Sequence, residues 1–149
     1  MKNDEKMIIG KKEKITILDL ELFDLDAKID TGADSSALHC DNIDLSQEGF
    51  VTFTLLDEIH TAYNGKRFTL PIYKTKRIKS SNGEVQIRPS IQVNVLFCSK
   101  NYPMVISLTN RSDMLYPMLI GRKFLSGKFL VDVSCEYIAL PNPKYTQEG

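Results

Sequence analysis

The chain predicts an all-β domain, a small barrel or sandwich, carrying one short helix near its C-terminal end. Three observations predict it. Short runs rich in β-branched and apolar residues recur along most of the sequence. Turn-forming residues separate many of these runs, as at Asn64-Gly65, Ser81-Asn82-Gly83 and Asn101-Tyr102-Pro103. Only Arg122 to Ser126, opening directly after Gly121, reads as helix.

In chain order, Lys14 to Leu20 (K-I-T-I-L-D-L) alternates in the manner of a half-buried strand, and Leu22 to Ile29 continues after a brief break. Further strands are expected at Val51 to Leu56, Phe68 to Thr75, Arg77 to Ile87, Ser90 to Phe97, Met104 to Leu108 and Lys128 to Val133. Within Arg77 to Ser90 the pattern is also that of a hairpin. Two polar arms flank Ser81-Asn82-Gly83, and Asn and Gly both tolerate positive φ. Such an arm is either an ordinary surface hairpin or a mobile flap over a substrate, with Lys79 to Glu84 as its tip. A polar tail follows Leu140 and is expected to fray. The organisation expected is a single domain over residues 8–140, with tails at 1–7 and 141–149.

Composition narrows the function. With 149 residues and 42% hydrophobic content the chain can bury a real core. Nineteen basic and nineteen acidic side chains cancel, so no global field favours nucleic acid or an anionic membrane. No apolar run approaches the roughly 20 residues of a spanning helix. The opening M-K-N-D-E-K-M-I-I-G sets acids beside its lysines and lacks a secretory apolar stretch, so a cytoplasmic location is expected. Cys40, Cys98 and Cys135 are widely spaced and odd in number, which favours reduced thiols. The only histidines are His39 and His60, and no H-E-x-x-H or P-loop is present, so neither zinc nor a nucleotide is expected as cofactor. His39 reads as a packed, hydrogen-bonded histidine and His60 as solvent-facing.

Two segments carry the chemistry. Ala27 to Leu38 (A-K-I-D-T-G-A-D-S-S-A-L) places Asp30 at the end of an apolar run, before a small hydroxyl and a glycine. Met118 to Leu125 (M-L-I-G-R-K-F-L) is an apolar strand broken by Gly121 and followed by the short helix. Asp30-Thr31-Gly32-Ala33, the flap-like hairpin and Leu119-Ile120-Gly121-Arg122 occur in the order found in a retropepsin protomer, which the chain resembles. The opening I-I-G-K-K-E, the S-A-L-H after the first motif, N-R-S-D-M-L-Y-P-M-L-I-G-R and F-L-V-D-V-S bring it closest to a bacterial and archaeal retropepsin-like family that carries the label ATP-dependent zinc protease. The likeness runs from Ile8 to Leu140.

The resemblance implies a closed acid-protease β-barrel and an aspartic-type peptidase acting on a peptide or protein. It also implies a functional link to ATP-grasp glutamate ligases. The zinc and ATP of the family label find no support in these residues. Aspartic peptide hydrolysis needs two carboxylates sharing a proton, and the chain has one D-T-G, so this chemistry requires a homodimer contributing Asp30 twice. The alternative is that D-T-G-A is a plain strand-ending turn. By resemblance, Thr31 ties the two Asp30 loops together across the axis. Gly32 turns the backbone and brings its N–H towards the carboxylate, and Ala33 keeps the cleft open. Asp34 contacts substrate termini or is a solvated turn residue. Ser81, Asn82 and Gly83 are the flap residues over substrate, and Gly121 lets the chain pass under the Asp30 loop. Arg122 sits at the positive end of a helix, which calls for a fixed acidic partner, unless it is simply solvated. Arg88 and Arg111 either read acidic side chains of a glutamate-rich substrate or pair with the protein's own acids. Two other functions stay open: a peptide-binding module on the same fold, and a metal-dependent hydrolase.

Overall fold

A computed structural model describes residues 5–56, 63–110 and 115–139. The strands are β1 (Met7–Ile9), β2 (Lys12–Ile17), β3 (Leu22–Ile29), β4 (Ser36–Leu45), β5 (Phe50–Leu55), β6 (Arg67–Pro71), β7 (Lys74–Lys79), β8 (Val85–Phe97), β9 (Lys100–Thr109), β10 (Met118–Ile120) and β11 (Phe129–Val131). One helix, α1 (Arg122–Leu125), lies between the last two.

Six strands close on themselves. The hydrogen-bonded order β10-β3-β2-β8-β9-β4 returns to β10, because β10 pairs with β3 in parallel and with β4 in antiparallel fashion. This is a closed barrel, as the acid-protease likeness implied. Closure pairs each of these strands on both sides over at least part of its length. The barrel is filled by the inward set of each alternating strand, including Ile15 and Ile17 of β2, Leu25, Ala27 and Ile29 of β3, Leu38 of β4, Ile91, Val93 and Val95 of β8, and Ile106 and Leu108 of β9. β5 and β6 extend the sheet from β4, with Phe53 stacked on Phe68 at 6.3 Å. β1 and β11 form a separate parallel pair.

Several boundaries differ from expectation. The strand expected over Lys14 to Leu20 ends at Ile17, and Leu18–Leu20 forms a 3₁₀ turn that buries Leu20 and closes through Glu21 at φ 54°. The run Phe68 to Thr75 is broken at Ile72 and Tyr73, where the chain leaves β5 for β8 and becomes β7. The turn expected at Asn101-Tyr102-Pro103 is strand: the β8–β9 hairpin turns at Cys98 and Ser99, with φ of 54° and 65°. Pro103 is accommodated because this part of β9 pairs only with β8, leaving the missing N–H on an open side. The hairpin over Arg77 to Ser90 is present as β7 and β8. Its loop is Ser81-Asn82-Gly83, and only Gly83, at φ 90°, takes the left-handed conformation expected of Asn and Gly together. Glu84 donates its N–H to the Asn82 side-chain Oδ1, and the Ser80 hydroxyl bonds the same atom. His60, Arg111 and the expected 141–149 tail lie outside the described residues. Among the described residues no helix is long and apolar enough to cross a membrane.

Candidate active site

Alternation along β3 buries Leu25, Ala27 and Ile29, which delivers Asp30 to the end of the strand just as the chain leaves the barrel. Its N–H donates to the Ile120 carbonyl of β10 at 2.9 Å, so the residue is tied to the closure of the barrel itself. The carboxylate is half-buried, and its Oδ1 accepts the Gly32 N–H at 3.0 Å. The Ala33 N–H closes the turn onto the Asp30 carbonyl at 3.1 Å.

The second motif locks this loop from below. Arg122 donates its backbone N–H to the Ala33 carbonyl, and Lys123 donates its own to that of Asp34, at 2.8 and 3.0 Å. Gly121 donates to the Ser36 hydroxyl at 3.1 Å. A Cβ at Gly121 would lie 2.5 Å from the Ser35 carbonyl oxygen, a distance only glycine allows. The Arg122 guanidinium reaches back over the loop, donating to the Thr31 carbonyl at 2.9 Å and approaching Asp34 Oδ1 at 3.7 Å. Asp34 is thus the acidic partner that the cation at the helix start called for. Asp34 Oδ2 also lies 3.3 Å from Lys123 Nζ.

Asp30, Thr31, Gly32, Ala33, Asp34, Gly121 and Arg122 are therefore one hydrogen-bonded unit. Thr31 is exposed, and among the described residues its hydroxyl has no hydrogen-bond partner. A hollow of about 610 Å³ joins Thr31 and Arg122 to Leu130 and Val131 of β11. On that surface Ile8 of β1 is paired with Leu130, and each is 54% exposed.

The remaining nominated residues lie elsewhere. Ser81, Asn82 and Gly83 are exposed at the hairpin tip. Arg88 lines a separate hollow with Asp41, Asn42 and Asn110, which takes in none of the Asp30 loop. His39 is fully buried in β4, its N–H bonded to the Pro117 carbonyl. Among the described residues no three His, Cys, Asp or Glu side chains converge, so the donor set there does not fit a zinc ion. Burial pushes the Cys98 thiol up to about 12 and the Cys40 thiol higher still, which removes both as thiolate nucleophiles near neutrality. Reading the sequence missed four lysines, Lys74, Lys76, Lys123 and Lys128, that line a groove beside Ser35 and Ser36. For Lys74 and Lys76 a signal was present in K-T-K, where the two cations stand at the spacing of one strand face.

Residues 8–142 match the family described as RimB-like, retropepsin-like aspartic endopeptidase RimB. The chain belongs to this family. The crystal structure of the protein Lpg0085 from Legionella pneumophila, described as of unknown function, superposes with a TM-score of 0.69 at 28% identity. The match covers 91% of this chain and 99% of that one. A probable alpha-L-glutamate ligase from Shewanella halifaxensis is 34% identical over 139 residues, which are 89% of this chain and 30% of the ligase. A second, from Parasynechococcus marenigrum, is 28% identical over 134 residues, 85% of this chain and 28% of the ligase. The chain thus spans less than a third of the length of these curated relatives.

Proposed function

We propose that this chain is an aspartic endopeptidase that works as a homodimer, with one Asp30 from each protomer. The observation that carries this reading is the presentation of Asp30. A hydrogen-bonded carboxylate stands half-exposed beside an exposed Thr31, and Thr31 lines the same hollow as Leu130, which with its ladder partner Ile8 forms an uncovered apolar pair. A two-fold contact through that surface would cover the apolar pair, supply partners for Thr31 and set the two carboxylates together.

The chemistry follows from the pair. With one proton shared between them, the ionised carboxylate takes a proton from a water as its oxygen attacks the scissile carbonyl carbon. The protonated partner gives its proton to the carbonyl oxygen. The tetrahedral diol then collapses, its hydroxyl proton returning to a carboxylate while the amide nitrogen is protonated and leaves. Water adds across the C–N bond without a covalent intermediate. The two groups titrate as a pair, so activity peaks where one proton is bound between them. Thr31 and Gly32 position Asp30, Ala33 leaves room for the substrate backbone, and Ser81, Asn82 and Gly83 close over it.

The substrate is proposed to be acidic, glutamate-rich peptide. The curated relatives that contain a matching region are named as glutamate ligases, and a working partnership with such a ligase is part of the proposal. Arg88 and Arg111 are the arginines nominated for reading acidic side chains. Sedimentation of the chain at micromolar concentration tests the assembly. A dimer is expected, and a monomer at all concentrations that still cleaves peptides would refute the shared site. Tight binding of acidic peptides without turnover at any pH would leave a binding module instead.

A further inference from the structure

A groove of about 530 Å³ runs alongside the Asp30 loop, and its rim is cationic. Ser35 and Ser36 bound it where the loop enters β4, α1 contributes Lys123, and the base of the flap-like hairpin contributes Lys74 and Lys76. The ladder shows which side chains share a face. Lys74 is opposite Ser90 and Lys76 is opposite Arg88, and directly opposed residues in an antiparallel pair project to the same side. The Ser90 hydroxyl lies 3.3 Å from that of Ser107, which places this face along β9 as well.

Two cations directly opposite each other on a strand pair repel, and this costs stability unless an anion lies between them. Among the described residues no acid bridges Lys74, Lys76 or Arg88. The neighbouring cations are already engaged. Lys123 is held 3.3 Å from Asp34, and Lys128 lies 4.8 Å above the Phe124 ring. Among the lysines of the groove, charge is therefore left uncompensated on Lys74 and Lys76, at the flap base next to the candidate catalytic loop. A chain whose acidic and basic side chains cancel overall has no general need of such a patch.

We infer that Lys74 and Lys76 form the subsite that takes the side-chain carboxylates of an acidic peptide flanking the scissile bond. The inference rests on the peptidase reading for the fate of that peptide, but not for its binding. Extended substrate laid beside β7 would offer every second side chain to this face, which matches the spacing of Lys74 and Lys76. Lys123, fixed by Asp34, then couples the subsite to the Asp30 loop.

The test is binding by the full chain carrying Asp30→Asn, so that no probe is cut, read as fluorescence anisotropy of labelled hexaglutamate and hexaglutamine. Hexaglutamate is expected to bind at least about tenfold more tightly, with an affinity that falls as salt rises. Lys74→Gln with Lys76→Gln should weaken hexaglutamate about tenfold, leave hexaglutamine unchanged, and leave the melting temperature in place because both side chains are exposed. Lys74→Arg with Lys76→Arg should bind like the parent. Unchanged affinity in the glutamine pair overturns the subsite, as does equal competition by a short oligothymidylate, which would mark a general anion site. Lysine-dependent binding in a wild-type chain that cleaves nothing would refute the peptidase reading and leave the subsite standing.

Discussion

Two carboxylates stand at the same end of β2 and β3, and they are treated in opposite ways. Glu13 is 2% exposed. Its Oε2 accepts the Gly10 N–H at 2.7 Å and the Ile138 N–H at 3.1 Å, and both oxygens lie 3.2 Å from the Ala139 nitrogen. Asp30 is half-exposed, and among the described residues its carboxylate accepts one hydrogen bond, from Gly32. The difference separates a structural acid from one available for chemistry. Glu13 has its acceptor capacity taken up by backbone donors, and this pins the 132–139 segment against β1 and β2. That segment is further laced by Lys11 N–H to the Cys135 carbonyl and by the Tyr137 hydroxyl to Asp26. Asp30 is fixed through its backbone while its second oxygen is left for water or a partner.

The contrast can be broken from either side. Asp30→Asn should lower peptidase turnover by about a thousandfold or more, since it removes the base and the shared proton. Its melting temperature should stay near that of the parent, because the Gly32 N–H still finds a carbonyl oxygen. Glu13→Gln should do the reverse. Its amide nitrogen would face backbone N–H groups in a buried site, costing about 2–3 kcal/mol in denaturant unfolding, with kcat largely retained under folding conditions. If Glu13→Gln abolished turnover in a fully folded protein, the two acids would not be separable in this way. Arg122→Gln sharpens the comparison at smaller amplitude. It removes the guanidinium bond to the Thr31 carbonyl and the contact with Asp34, both partly exposed, so stability should change by less than about 1 kcal/mol. Peptide turnover should drop about tenfold through a lower kcat, as a loosened loop would misplace Asp30. A loss confined to KM would make Arg122 a substrate contact instead.

Much of this was legible in the sequence. Alternation gave the strands of the barrel wall, and the strand–glycine–helix form of Met118 to Leu125 gave the element beneath the Asp30 loop. Barrel closure was legible only through the family likeness, because the pairing of β10 with both β3 and β4 joins segments far apart in the chain. The Cys98-Ser99 turn was missed since neither residue advertises positive φ, while Pro103 misdirected the boundary. Glu13 looked like any surface acid in K-K-E-K, because its donors come from Gly10 and from residues more than 120 positions later. At the candidate site, Asp30 to Asp34, Gly121 and Arg122 lie together, and it was the family resemblance that set Gly121 under the Asp30 loop. Arg88 lines a different hollow, and the groove beside the loop is lined with lysine.

The central claim is that two copies of Asp30 make one site, and mixing tests it most directly. Wild-type chain and Asp30→Asn chain are combined in equal amounts, allowed to exchange subunits, and assayed on an acidic peptide at fixed total concentration. If each site needs both aspartates, only wild-type pairs cut, and activity should fall to about one quarter of the all-wild-type value for random pairing. Activity at about one half, tracking the amount of wild-type chain alone, would show that each Asp30 acts by itself and would contradict the account.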